Sequence, residues 1–218
     1  MDTVMRKIYL ARHGESTWNV ARRVQGDHEG IVLSERGREQ ARQLGARLAG
    51  TGFDGVYCSS AKRAVETARL ALGEDRPVEM VDGLREIGFG AWEGLLVGDV
   101  RERYPGELER WFRSPSRVVI EGGEPFASFH RRAVDTVDGI VGSSEGDILI
   151  IAHGGVICTW LTHILGMDID DIWSFSLPNA SLTIVKYDFK PRLLLFGDVS
   201  HLDAGAAGFE GMPSPASD

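Results

Sequence analysis

Short apolar runs alternate with stretches of helical spacing along most of this chain. Lys7–Ala11 reads as a first strand and Val56–Cys58 as a second, ending at Ser59-Ser60. Val78–Val81, just after Pro77, reads as a short edge strand. Asp147–Ala152 is the clearest strand, a continuous apolar run suited to the centre of a sheet covered on both faces. Ala180–Tyr187 and Leu193–Val199 predict a hairpin around Pro191.

Between the strands the spacing changes to that of helices. Ser34 can cap a helix running to about Gly50, with Leu44 and Leu48 on one face. Its capping box is incomplete, because Gly37 stands where a glutamate would be. Further helices are expected over Ala61–Leu72, closed by Gly73, and over Asp99–Phe112, interrupted at Pro105-Gly106. Two more are expected over Glu124–Val141 and Val156–Leu165. Gly14–Gly30 and the glycine-rich Gly83–Gly98 read as loops, and Ser114–Gly123 as a turn-rich connection. The alternation predicts an α/β fold with a mostly parallel central sheet between helical layers. It also predicts a single domain over residues 1–202, with a small cap or insertion over Gly83–Gly123. From Asp203 onward the small, glycine- and proline-bearing residues predict a disordered tail.

Composition narrows the partners. The 218 residues carry a net charge of −8, so no global basic field exists to gather nucleic acid. No run approaches the length of a membrane span. Cys58 and Cys158 sit in separate apolar runs without ligand spacing, as buried free thiols would. Met1–Arg6 has no apolar signal core, and a reducing, cytoplasmic setting is expected.

Two strands end in histidine-glycine, at Arg12-His13-Gly14 and at Ala152-His153-Gly154. If both are central and parallel, both imidazoles emerge at the carboxyl edge of the sheet, where open α/β sheets bind ligands. The helix after Ser59-Ser60 opens with Lys62-Arg63 and can bring a second guanidinium to that edge. Glu86 lies in the loop after the edge strand. This set suits phosphoryl transfer, where the main task is to position a group and stabilise charge on three equatorial oxygens. Arg12 and Arg63 can present forked N–H donors. Asn19 and the N–H groups of Gly154 and Gly155 can add others. His13 supplies a nitrogen nucleophile, Glu86 a proton donor and acceptor, and His153 electrostatic stabilisation.

These stretches resemble the histidine phosphatase superfamily, the phosphoglycerate-mutase-like enzymes. The resemblance rests on Arg12–Asn19, Gln25-Gly26, Leu33–Ala41, Ser59–Ala68, Leu84–Gly94 and Ala152–Gly155, in the family's order. It implies a three-layer α/β/α sandwich and a phosphohistidine at His13. It also implies a phosphate pocket of Arg12, Arg63 and His153, Glu86 as proton donor, and no metal or other cofactor. Asn19, Gln25, Gly26 and Gly154 are the matching candidates for substrate binding.

Two departures matter. Asp27–Val32 lacks the family's aspartate-x-proline turn. Ile87-Gly88-Phe89 follows Glu86 where the mutase branch has an arginine and a tyrosine, which favours a phosphatase. Glu121-Gly122-Gly123-Glu124 looks like phosphatase members, including the α-ribazole phosphatase-like group. The expected activity is hydrolysis of a small phosphorylated metabolite, α-ribazole-phosphatase-like or broad in specificity. The alternatives are a phosphoglycerate mutase-type phosphotransferase, an inactive phosphate- or partner-binding module and, by chemistry, a metal hydrolase. Glu15 is expected to be structural, and His28, His130, His163 and His201 to be surface or packing residues. Trp92, Trp111 and Phe112 fit cap packing or a wall against the substrate equally well.

Overall fold

The computed structural model describes residues 5 to 203. Six strands form one sheet: β1 (Arg6–Arg12), β2 (Gly55–Ser59), β3 (Glu79–Val81), β4 (Ile148–Ala152), β5 (Leu182–Tyr187) and β6 (Pro191–Asp198). Their spatial order is β3-β2-β4-β1-β5-β6. The first four are mutually parallel, whereas β5 runs antiparallel to β1 and β6 antiparallel to β5. All five residues of β4 are fully buried, as its unbroken apolar run predicts.

The two-residue period of the strands divides the core into two layers. Ile8, Leu10, Ile148 and Ile150 face one side, with α6 (Phe126–Ser143) and α7 (Gly154–Leu165) packed there. Tyr9, Ala11, Leu149 and Ile151 face the other, against α2 (Glu35–Leu48) and α3 (Lys62–Leu72). The result is the expected three-layer α/β/α architecture. None of the described helices is long and apolar enough to cross a membrane.

Several boundaries differ from expectation for local reasons. The loop after β1 contains one helical turn, α1 (Thr17–Val20), closed by a reciprocal capping box between Ser16 and Asn19. The predicted helix over Asp99–Phe112 is two helices, α4 (Val97–Arg103) and α5 (Glu107–Arg113), parted where Gly106 takes φ 78°. The strand expected from Ala180 starts at Leu182, because Ala180 sits at φ 55°, outside strand geometry. The helix expected from Val156 starts at Gly154, which puts both glycines in its first turn. The predicted tail lies outside the described residues, apart from Asp203.

The stretch of residues 83–123 consists of short turns together with α4 and α5. Trp92 and Trp111 are buried inside it and pack with Phe89, Tyr104, Phe126 and Trp173. Phe112 leans on Trp173 at 5.5 Å. For Trp92 and Trp111 the structure shows packing, whereas Phe112 is half-buried.

Candidate active site

β1 and β4 lie side by side, with Arg12 level with Ala152. The two strands leave the sheet at the same edge, and His13 and His153 follow there. The imidazole centroids are 5.1 Å apart, with the ring planes at 60°. His13 N–H donates to the Ala152 carbonyl at 3.0 Å, tying one strand end to the other.

His13 is buried, and its Nδ1 lies 2.7 Å from the Gly14 carbonyl. A carbonyl can only accept, so Nδ1 carries the proton and Nε2 keeps the lone pair. Burial, then the charges of Arg63 and Arg12, hold this ring well below the ordinary histidine pKa of 6.5. The imidazole is therefore neutral at neutral pH. A neutral ring with a fixed tautomer is suited to nucleophilic attack. The loop entering β5 supports it from below: Ala180 N–H and Asn179 Nδ2 donate to the His13 carbonyl at 3.1 and 3.2 Å.

Arg63 lies in the first turn of α3 and is buried too. Its Nη2 donates to the Gly26 carbonyl at 2.8 Å and to His153 Nδ1 at 3.1 Å, and its Nη1 to the His28 carbonyl at 3.4 Å. Its Nε has no partner among the described residues, and a buried donor of this kind favours an incoming anion. Burial lowers its pKa to about 10, so it stays cationic at neutral pH. Because Nδ1 of His153 accepts from a guanidinium, the neutral ring carries its proton on Nε2 and donates to Ser59 Oγ at 2.8 Å. Burial, Arg63, His13 and Arg12 all hold the His153 pKa well below 6.5.

Arg12 donates through Nη1 to the Leu177 carbonyl. Its guanidinium lies over the start of α7, where a Cβ added to Gly154 would stand 3.7 Å from Nε. Glu86 reaches α7 from the other direction. Its Oε2 accepts from Gly155 N–H at 2.9 Å and its Oε1 from Ile87 N–H at 3.0 Å. The Gly155 N–H, expected to face a phosphate, therefore holds the carboxylate instead. The helix start favours either anion, and Glu86 is the one within reach.

The other candidates act largely on the frame. Asn19 Oδ1 accepts from Ser16 N–H and Ser16 Oγ, both at 3.0 Å, and from Asn179 Nδ2 at 3.3 Å. Gln25 Oε1 accepts from Ser16 Oγ at 2.8 Å. Gly26 offers its carbonyl to Arg63, and its φ of 55° with Glu93 packed against it leaves no room for a side chain. Glu15 is structural as expected, buried and accepting from Ser34 Oγ at 2.6 Å. His28 is exposed and tilts on Trp18 at 4.7 Å. His130 meets Phe126, His163 pairs with Asp138, and His201 lies 3.1 Å from the Ala180 carbonyl. Both thiols are buried and free, and burial pushes each up to about 12.

Sequence reasoning missed Ser59 as the partner of His153, Asn179 as the prop under His13, and Arg132 with Glu124 beneath the Glu86 loop. Only the Ser59-Ser60 strand end and the Glu121–Glu124 stretch carry any signal for them.

The assembled groups have the chemistry to bind an oxyanion and to offer it a nitrogen nucleophile and a carboxyl group. A family model described as histidine phosphatase superfamily (branch 1) matches residues 8–198. The chain is 33% identical over 196 residues to phosphoserine phosphatase 1 of Hydrogenobacter thermophilus, covering 88% of this chain and 91% of that one. It is 29% identical over 206 residues to the adenosylcobalamin/alpha-ribazole phosphatase of Escherichia coli, covering 94% and 98%. Among solved structures, Bacillus stearothermophilus YhfR matches with a TM-score of 0.84 at 34% identity, covering 91% of this chain and all of that one.

Proposed function

Because the chain belongs to the histidine phosphatase superfamily, branch 1, we propose that it hydrolyses a small phosphorylated metabolite through a phosphohistidine at His13. Nε2 of His13 attacks phosphorus, and the P–N bond forms as the bond to the leaving oxygen breaks. Protonated Glu86 delivers its proton to that oxygen, and the alcohol departs. The Glu86 carboxylate then takes a proton from water, whose oxygen attacks phosphorus. The P–N bond breaks, and inorganic phosphate and neutral His13 remain. Arg12, Arg63 and His153 stabilise the charge on the three equatorial oxygens.

The observation that carries this reading is the Nδ1–H···O=C bond from His13 to Gly14, which leaves the lone pair on Nε2. Hydrolysis rather than phosphate return to a second acceptor is supported at the residues after Glu86. Ile87 and Phe89 are buried in the apolar core and offer nothing to a second acidic group. The substrate belongs to the class named for the relatives, such as phosphoserine or α-ribazole phosphate. A cytoplasmic setting is part of the same proposal, and the two buried free thiols are consistent with it.

The test is a screen of phosphorylated metabolites for release of inorganic phosphate, with phosphoglycerate isomerisation measured alongside. Phosphate release that disappears in His13→Ala, whose fold is retained, supports the proposal. Isomerisation without net phosphate release, or full turnover by His13→Ala, overturns it.

A further inference from the structure

Glu86 sits in an irregular segment beside the start of α7, with no strand or long helix of its own to hold it. A proton donor needs a fixed position to within a fraction of an ångström, so something else must supply the rigidity. The segment is fastened to α6. Nη1 of Arg132 donates to the Gly83 carbonyl at 3.0 Å and the Arg85 carbonyl at 2.8 Å, and Nη2 to the Glu86 carbonyl at 3.4 Å. One turn further along α6, Thr136 packs against Gly83, where an added Cβ would stand 2.1 Å from its Oγ1.

Arg132 is itself fixed. Its Nε and Nη2 donate to the two oxygens of Glu124 at 3.0 and 2.6 Å, a forked pair. Its guanidinium carbon lies 5.2 Å from the centroid of the Phe129 ring. Glu124 completes the attachment, donating its own backbone N–H to the Gly88 carbonyl at 2.8 Å. The acid-bearing segment is thus held on both sides of Glu86, by Arg132 at residues 83–86 and by Glu124 at Gly88.

We infer that the Arg132–Glu124 pair is a positioning device for Glu86, setting the reach of its carboxyl group to the leaving oxygen. The geometry explains why both members are needed. A lysine cannot reach three carbonyls and a carboxylate at once, because it lacks the planar fork. Without Glu124 the guanidinium loses the partner that orients its plane. The pair touches neither the imidazoles nor the oxyanion donors, so its direct effect falls on the segment that carries Glu86. This inference rests on the proposed role of Glu86 as the acid.

The experiment measures kcat/KM for Arg132→Lys, Glu124→Gln, Glu86→Gln and the double variant Glu86→Gln/Arg132→Lys. The substrates are 4-nitrophenyl phosphate, phenyl phosphate and a simple alkyl phosphate. With a good leaving group the acid matters little; with an alkoxide it matters most. Each clamp variant is expected to lose on the order of tenfold or more on the alkyl ester and only about twofold on the nitrophenyl ester. Adding Arg132→Lys to Glu86→Gln is expected to cost nothing further on the alkyl ester. Equal losses on all three esters, no loss on any, or multiplicative losses in the double variant overturn the inference. If Arg132→Lys fails to fold, Glu124→Gln and its double with Glu86→Gln decide the question alone. A Glu86→Gln variant without leaving-group dependence instead refutes the assignment of the acid and, with it, the inference.

Discussion

A Cβ added to Gly155 would stand 2.2 Å from Oε1 of Glu86. The first turn of α7 and the carboxylate are in such close contact that only glycine leaves the acid in place. Gly155→Ala is expected to fold normally, since the atom displaced is the free end of a side chain. It should cut kcat/KM for an alkyl phosphate by about tenfold or more. Steady-state kinetics together with a melting curve check this. Unchanged kinetics would show that Glu86 does its work from another position.

Arg63 joins Gly26, His28 and His153 through one guanidinium and places a cation beside both imidazoles. Arg63→Lys keeps the charge and loses the fork. Its kcat/KM is expected to fall by about a hundredfold or more, the scale of losing one oxyanion donor. Inorganic phosphate should inhibit the variant more weakly than the wild type. An inhibition constant equal to that of the wild type would remove Arg63 from the anion site.

The buried histidines make stability depend on pH with a definite sign. His13 and His153 are held neutral in the fold by burial and by nearby guanidinium charge, with pKa values well below 6.5. The unfolded chain binds protons at these positions more readily than the native one. Their contribution is therefore complete above 6.5 and is lost as pH falls from there toward the folded values. The melting temperature should drop between about pH 7 and about pH 5, and less steeply in His13→Gln. Equal slopes in wild type and variant would contradict the neutral, buried state of His13.

Much of this was legible in the chain because it depends on local pattern. The continuous apolar run within Asp147–Ala152 suits a strand covered on both faces, and β4 sits between β2 and β1. The two histidine-glycine strand ends converge because parallel neighbours end at the same edge. What could not be read depends on contacts between distant segments. Gly37 looks like a flaw in a helix cap. In the fold a Cβ there would stand 1.9 Å from the Glu15 carbonyl oxygen, so the close approach of the loop to α2 requires the glycine. The local cap survives this, since Ser34 Oγ still accepts from Gly37 N–H at 3.0 Å. Arg132 likewise carries no sign of its role, because its partners Gly83, Arg85 and Glu86 lie more than forty residues earlier. Trp92 and Trp111 fit two roles by composition, and only their burial among other rings distinguishes packing from a wall.

The most direct test of the account is to stop turnover of a phosphorylated substrate at alkaline pH and map the protein-bound phosphoryl group by mass spectrometry. The phosphoryl group is expected on Nε2 of His13, stable to base, labile to acid and missing from His13→Ala. A phosphoryl group on His153, or rapid turnover with no protein-bound phosphate at any time point, would contradict it.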